Sequence, residues 1–132
     1  MDEIITFKLK KTKDEKIILF IVINQENIDI DTKTRQDLVK KYIEIVKKQD
    51  KLYLCIDTRK VSTINPKILW EGATDIAKYN HILQPKICVS SVLICNKILL
   101  DTVNIVSKVI PFASPTKFFS KNDDALKFIN DN

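Results

Sequence analysis

The sequence predicts an α/β protein: a mixed, mostly parallel five-stranded sheet opened by an N-terminal β-hairpin and covered by four helices. Three observations carry this. From residue 31 onward, short apolar runs of strand length alternate with longer segments whose apolar residues recur every three or four positions. Each helical segment but the last separates two strand-like runs, an order that requires crossovers and therefore parallel neighbours. The 132 residues match the size of one domain, taken as residues 1–132.

The elements follow in order. Ile4 to Lys10 alternates apolar Ile5, Phe7 and Leu9 with Thr6, Lys8 and Lys10, as a strand with one wet face does. Lys11 to Lys16 makes the turn, and Ile17 to Asn24 reads as a strand buried on both faces, completing the hairpin. After a polar stretch, Asp31 or Thr32 caps a helix whose stripe is Leu38, Val39, Tyr42, Ile43, Ile45 and Val46. It ends near Lys48, where the dipole favours cations. Leu52 to Asp57 is a central strand ending at the rim, and Thr58 to Ile64 a connector. Asn65-Pro66 starts the second helix, because Asn accepts from free N–H groups and Pro gives up none that is needed. Gly72 and Ala73 are expected to let this helix approach the sheet closely. Ile87 to Cys95 is another buried strand, Lys97 to Ile110 the third helix, and Thr116 to Phe119 a short strand. The last helix is capped by Ser120 or Asn122, carries Asp123 and Asp124 in its first turn, and buries Ala125, Leu126, Phe128 and Ile129.

Composition narrows the function classes. With 45% hydrophobic and 30% charged residues the chain is too apolar to be disordered. Its longest apolar run, Ile17 to Ile23, falls far short of the roughly 18–20 residues that span a bilayer, so a soluble protein is expected. The net charge is +5, but 20 of the 22 basic residues are Lys, scattered among 17 acids, a mix that favours a solvated surface over phosphate recognition. Thr32 to Lys51 carries +4, yet Lys40, Lys41, Lys47 and Lys48 lack interleaved aromatic platforms, so nucleic acid is an unlikely partner. Cys55, Cys88 and Cys95 are odd in number, without CxxC spacing or an N-terminal leader, and are expected to be core thiols in a reducing, cytoplasmic setting. Neither they nor His81 form a metal-ligand pattern, and no cofactor is implied. A nucleophile with a nearby base and a glycine-rich phosphate loop are both missing, which argues against an enzyme.

The run Leu52-Tyr53-Leu54-Cys55-Ile56-Asp57-Thr58-Arg59-Lys60-Val61-Ser62-Thr63-Ile64-Asn65 resembles the hydrophobic strand, Asp, connector and helix start of the STAS family, the SpoIIAA-like and anti-sigma-factor-antagonist domains. Phe118 to Ile129 is similar to that family's last strand and terminal helix. The resemblance implies a single α/β domain that binds proteins, and in some members nucleotides or lipids, without catalysis. One departure is plain. Antagonists of the family carry Asp-Ser-Ser-Gly, with a phosphoacceptor serine, where this chain reads Asn65-Pro66-Lys67-Ile68. Ser62 and Thr63, in the same connector, are either substitute acceptors or ordinary turn hydroxyls.

Two function classes follow. The first is a non-enzymatic regulatory module that binds a partner protein, or a second copy, through Arg59, Ser62, Thr63, Asn65 and Lys67 at the start of the second helix and Leu100 and Ile105 on the third. That third helix carries a surplus apolar arc, since Ile98, Leu99, Leu100, Val103, Ile105, Val106, Val109 and Ile110 exceed what one side needs. The second is a small-ligand, nucleotide or lipid site in the crevice beyond the strand ends, with Asp57, Thr58, Arg59, Lys67 and Asn96 as polar contacts and Trp70 as a wall.

Overall fold

The computed structural model describes residues 3–132. The elements are β1 (Ile5–Lys11), β2 (Ile17–Ile23), β3 (Asn27–Ile28), α1 (Thr32–Lys47), β4 (Leu52–Asp57), β5 (Thr63–Ile64), α2 (Pro66–Ala77), α3 (Asn80–Leu83), β6 (Ile87–Leu93), α4 (Lys97–Val109), β7 (Thr116–Phe119) and α5 (Asn122–Asn130). The main sheet has five strands in the order β1-β2-β4-β6-β7. Its first pair is the expected antiparallel hairpin, with Phe7 opposite Ile21, and every later pair is parallel. The hairpin turn closes through Thr12, whose hydroxyl accepts from Lys16 N at 3.1 Å, and places Glu15 in the left-handed region at φ 66°.

Alternation along the strands sorts the core into two layers. On one side Leu19 and Ile21 of β2 and Leu54 of β4 meet Val39, Tyr42, Ile43 and Val46 of α1, while Val92 of β6 meets Leu99 of α4. On the other, Ile18, Cys55, Val89 and Leu93 meet Ala125 and Ile129 of α5. Leu19, with no exposed surface, shows the magnitude: a buried side chain of this size contributes about 1.5–3 kcal/mol. The helix ends are satisfied by the residues the sequence supplies. Asp31 accepts from Thr34 N at 2.7 Å and Asn96 from Leu99 N at 3.0 Å. Lysines from other elements close the C-termini: Lys86 Nζ donates to Gln49 O beyond α1, and Lys16 Nζ to Ile129 O and Asn130 O of α5.

Several expectations are corrected. Among the described residues there are five helices, not four, because α2 ends at Ala77 and Tyr79, at φ −105° and ψ 14°, breaks the run before a single turn, α3, restarts it and buries Leu83. The connectors expected to be irregular instead form a second, two-stranded sheet, pairing Asn27 with Thr63 and Ile28 with Ile64. Strand β6 stops at Leu93, so Cys95 falls outside it and is exposed; only Cys55 is a fully buried thiol, and Cys88 is half-buried. Neither Ser120 nor Asn122 caps α5: Lys121 holds the cap position without a side-chain bond, and Asp123 and Asp124 supply the favourable first-turn charge. Gly72 and Ala73 do not bring α2 down onto the sheet. No residue of α2 is buried, and Gly72 faces Arg35 of α1.

A Cβ added at Gly72 would lie 3.9 Å from Arg35 Cδ, an ordinary contact, and no glycine here needs a positive φ. Because Gly in a helix interior costs about 1 kcal/mol relative to Ala, Gly72→Ala is expected to stabilise the protein by about 0.5–1 kcal/mol. A higher urea midpoint at unchanged slope checks this; a lower midpoint would mean that the helix requires the gap.

Candidate functional site

Helix α2 is positioned by its cap and by charge. Asn65 Oδ1 accepts from Lys67 N at 2.9 Å, fixing the start. One turn into α1, Arg35 reaches across: its Nε donates to Asp75 Oδ2 at 2.8 Å and its Nη1 to Glu71 Oε2, so one guanidinium grips two successive turns of α2. The Arg35 side chain is only 11% exposed. Lys67 and Lys78 approach the same carboxylates from the solvent side at 3.9 and 3.7 Å.

Held in this way, α2 roofs a cavity of about 350 Å³. The floor is Ile21, Leu54 and Ile56 of the sheet, the walls are Leu38 and Tyr42 of α1 and Val103 and Val106 of α4, and the roof is Ile68, Leu69, Ala73 and Ile76. The roof residues are half-buried: Ile76 and Ile68 touch the edges of the core, and all four also line the open space. Polar groups are few: Arg35, Asn80 and Ser107 also line the space, and three hydroxyl residues gather at β6 and the approach to β7. Ser90, 4% exposed in mid-strand, has its hydroxyl 3.2 Å from that of Ser114, and Thr116 stands beside Ser90 in the strand register. Such a volume lies within the roughly 300–1,000 Å³ of ligand sites, and its lining suits an aliphatic molecule carrying one oxygen function.

The strand rim brings together most of the polar residues singled out from the sequence, but commits them to one another. Arg59 forks onto Asp57, with Nε to Oδ1 at 3.0 Å and Nη2 to Oδ2 at 2.8 Å, and that guanidinium holds the Asp57 carboxyl below the usual carboxylate range. Thr58 donates its hydroxyl to Leu93 O at 2.7 Å. Asn96 caps α4 and donates to Ser62 O at 2.9 Å. Thr63 sits on the small sheet and Ser62 just before it, their hydroxyls directed at Asn27 and Glu26, so a phosphate on Ser62 would meet a carboxylate. Trp70 is 43% exposed on α2, outside the cavity lining, and Lys67 extends into solvent. Burial pushes the Cys55 thiol up to about 11, which keeps it protonated and unreactive.

On α4 the apolar arc divides. Leu99, Leu100, Val103 and Val106 turn inward, so Leu100 belongs to the core side and not to the outer face expected for it. Ile98, Ile105 and Val109 remain 77%, 65% and 65% exposed. Sequence reasoning found Ile105 but missed the cavity. Its signals were a serine inside the apolar run Ile87–Cys95 and the small pair Gly72-Ala73 on the apolar side of α2, which leave volume unfilled.

No family model matches this sequence, and no curated protein matches it significantly. Among solved structures it is similar to an uncharacterised protein of the DUF3478 family from Shewanella loihica with a SpoIIAA-like fold, at 14% identity over 94% of this chain and 92% of that one, with a TM-score of 0.59. It also matches an anti-sigma factor antagonist from Mycobacterium paratuberculosis, at 14% identity over 96% and 94%, with a TM-score of 0.49. The chain thus has the SpoIIAA-like, STAS-type fold, an α/β domain with a mostly parallel five-stranded sheet led by an antiparallel hairpin. Among the described residues no helix is long and apolar enough to cross a membrane, and no cluster of three His, Cys, Asp or Glu is placed to hold a metal.

The rim geometry yields a titration test. A depressed carboxyl contributes stability above its unfolded pKa and loses it as pH falls through the folded one. Replacing Arg59 by Ala is therefore expected to move the Asp57 midpoint upward and to remove that part of the acid dependence. Carboxyl-carbon NMR titration reads it, and an unmoved Asp57 midpoint would refute the role given to Arg59.

Proposed function

We propose that this chain is a non-enzymatic, one-domain binding module whose ligand is an aliphatic molecule of acyl-chain character, held beneath α2. The carrying observation is the cavity itself. Apolar side chains that face open space gain about 25 cal/mol for each Å² that a ligand removes from water, and a ligand oxygen directed at Ser90 and Ser114 would be met by hydroxyls. The self-paired Asp57 and Arg59 leave the polar rim less suited to a nucleotide. The three free thiols support a reducing, cytoplasmic setting.

A second reading, a regulatory module docking a partner protein, is favoured by a different observation: the outer face of α4, with Ile98, Ile105 and Val109 standing exposed, and the start of α2 with Lys67 and Trp70 beside it. Capture experiments comparing wild type with Ile105→Asp test that reading, which fails where the variant retains the same partners.

For the first reading, thermal unfolding is followed with a long-chain fatty acid and, for comparison, ATP. A ligand held by the native state alone stabilises it by about 2.7 kcal/mol at a hundredfold excess over its Kd. The fatty acid is expected to raise the melting temperature in this way and ATP to leave it unchanged. Ala73→Phe, which places a ring in the cavity, is expected to abolish the fatty-acid shift while the apo protein melts no lower than wild type. A fatty-acid shift that persists undiminished in this variant would place binding elsewhere, and no shift in wild type would end the proposal.

A further inference from the structure

We propose that the outer face of α4 is the seam of a two-fold symmetric dimer in which the α4 helices of two copies lie antiparallel, centred near Ile105. This rests on the second reading above and names the partner as another copy of this chain. Ile98, Ile105 and Val109 lie at spacings of seven and four residues, so they form one narrow strip over three turns, the width of a helix-to-helix seam and not of a broad hydrophobic patch. The charges beside the strip select the orientation. Asp101 and Lys108 are seven residues apart, two helical turns, and share one flank of the strip with their signs reversed along the axis. Antiparallel helices bring like flanks together, whereas parallel helices bring opposite flanks together. A two-fold axis beside Ile105 therefore sets Asp101 against Lys108 of the second copy, and Lys108 against its Asp101, while Ile105 meets its own counterpart. A parallel arrangement leaves both charges facing the other flank, where Thr102 stands.

The free charges fit this arrangement. Within its own chain Asp101 is met only at 3.6 Å by Lys97, a pair whose partners are 87% and 59% exposed and which contributes little, and Lys108 has no acidic partner among the described residues. The arrangement is isologous and closes at two copies. A seam of one helix per copy is small, so the dimer is expected to be concentration-dependent.

Sedimentation equilibrium of the full chain tests this. Wild type is expected to rise with concentration from the 15.3 kDa chain mass toward twice that value, and Ile105→Asp to remain at the chain mass with an unchanged far-UV circular dichroism spectrum. Asp101→Lys and Lys108→Asp, each of which places like charges opposite one another at both ends, are expected to weaken dimerisation about tenfold, and the D101K/K108D double variant to restore it. A wild type that stays at the chain mass overturns the proposal, as does a dimer indifferent to Ile105→Asp or a double variant no better than the singles. A monomeric wild type that nevertheless captures another protein through Ile105 overturns self-pairing alone and leaves the docking reading in place.

Discussion

The grip of Arg35 on Glu71 and Asp75 is the constraint on which the character of this molecule depends. Every other long helix is seated by burial: α1 through Val39, Tyr42, Ile43 and Val46, α4 through Leu99 and Val106, α5 through Ala125 and Ile129. Helix α2 buries nothing completely, and its carboxylates are bound to a guanidinium that is itself largely withdrawn from water. A helix attached by directional bonds can be held at a height above the sheet that close packing would not permit, and the space below it is the consequence. Gly72, lying between the two acidic positions, faces the Arg35 side chain at ordinary contact distance.

Much of the fold was legible because it is written in periodicity. The hairpin, the parallel strands, α1 and the Asn65-Pro66 start all express local chemistry that a linear reading detects. What escaped depended on distances between elements. The pairing of Asn27–Ile28 with Thr63–Ile64 joins two stretches that are individually too short and too polar to suggest strands. The same limit governs the site. Asp57, Thr58, Arg59 and Asn96 were grouped at one rim by the strand-end rule, yet the hydrogen bonds that commit them to the protein itself cannot be seen in a list of residue types. The cavity is the extreme case, since an apolar residue reads identically whether it faces a neighbour or a void. Here Ile68, Leu69 and Ile76 line the cavity, although Ile68 and Ile76 also touch the core.

The division of the apolar arc on α4 shows how much a single number can decide. An arc wider than the sheet requires is either covered by a neighbouring element or left outside, and periodicity alone supports both outcomes. Helix α5, the neighbour able to cover it, lies on the opposite face of the sheet, packed on Ile18, Cys55 and Leu93. Ile98, Ile105 and Val109 are consequently uncovered for a topological reason, which makes their exposure a property of the fold and not of one loose side chain.

The two faces of the sheet therefore carry different burdens. On the α5 side the structure is closed and cross-linked: Ser91, fully buried, donates to Ala125 O at 2.8 Å, and Lys16 ties the end of α5 to the hairpin while lying 5.1 Å from the Tyr53 ring centroid. On the other side α1 supplies the core beneath β2 and β4, and α2 adds a roof that contributes little burial of its own. That roof is held by two ion-pair contacts and a half-buried apolar surface, whereas the α1 and α5 layers are held by fully buried side chains, so less burial opposes a movement of α2 than of the other long helices. The packed core and the cavity are separated within the same small domain, because α2 is tethered by charge where the other long helices are seated by fully buried side chains.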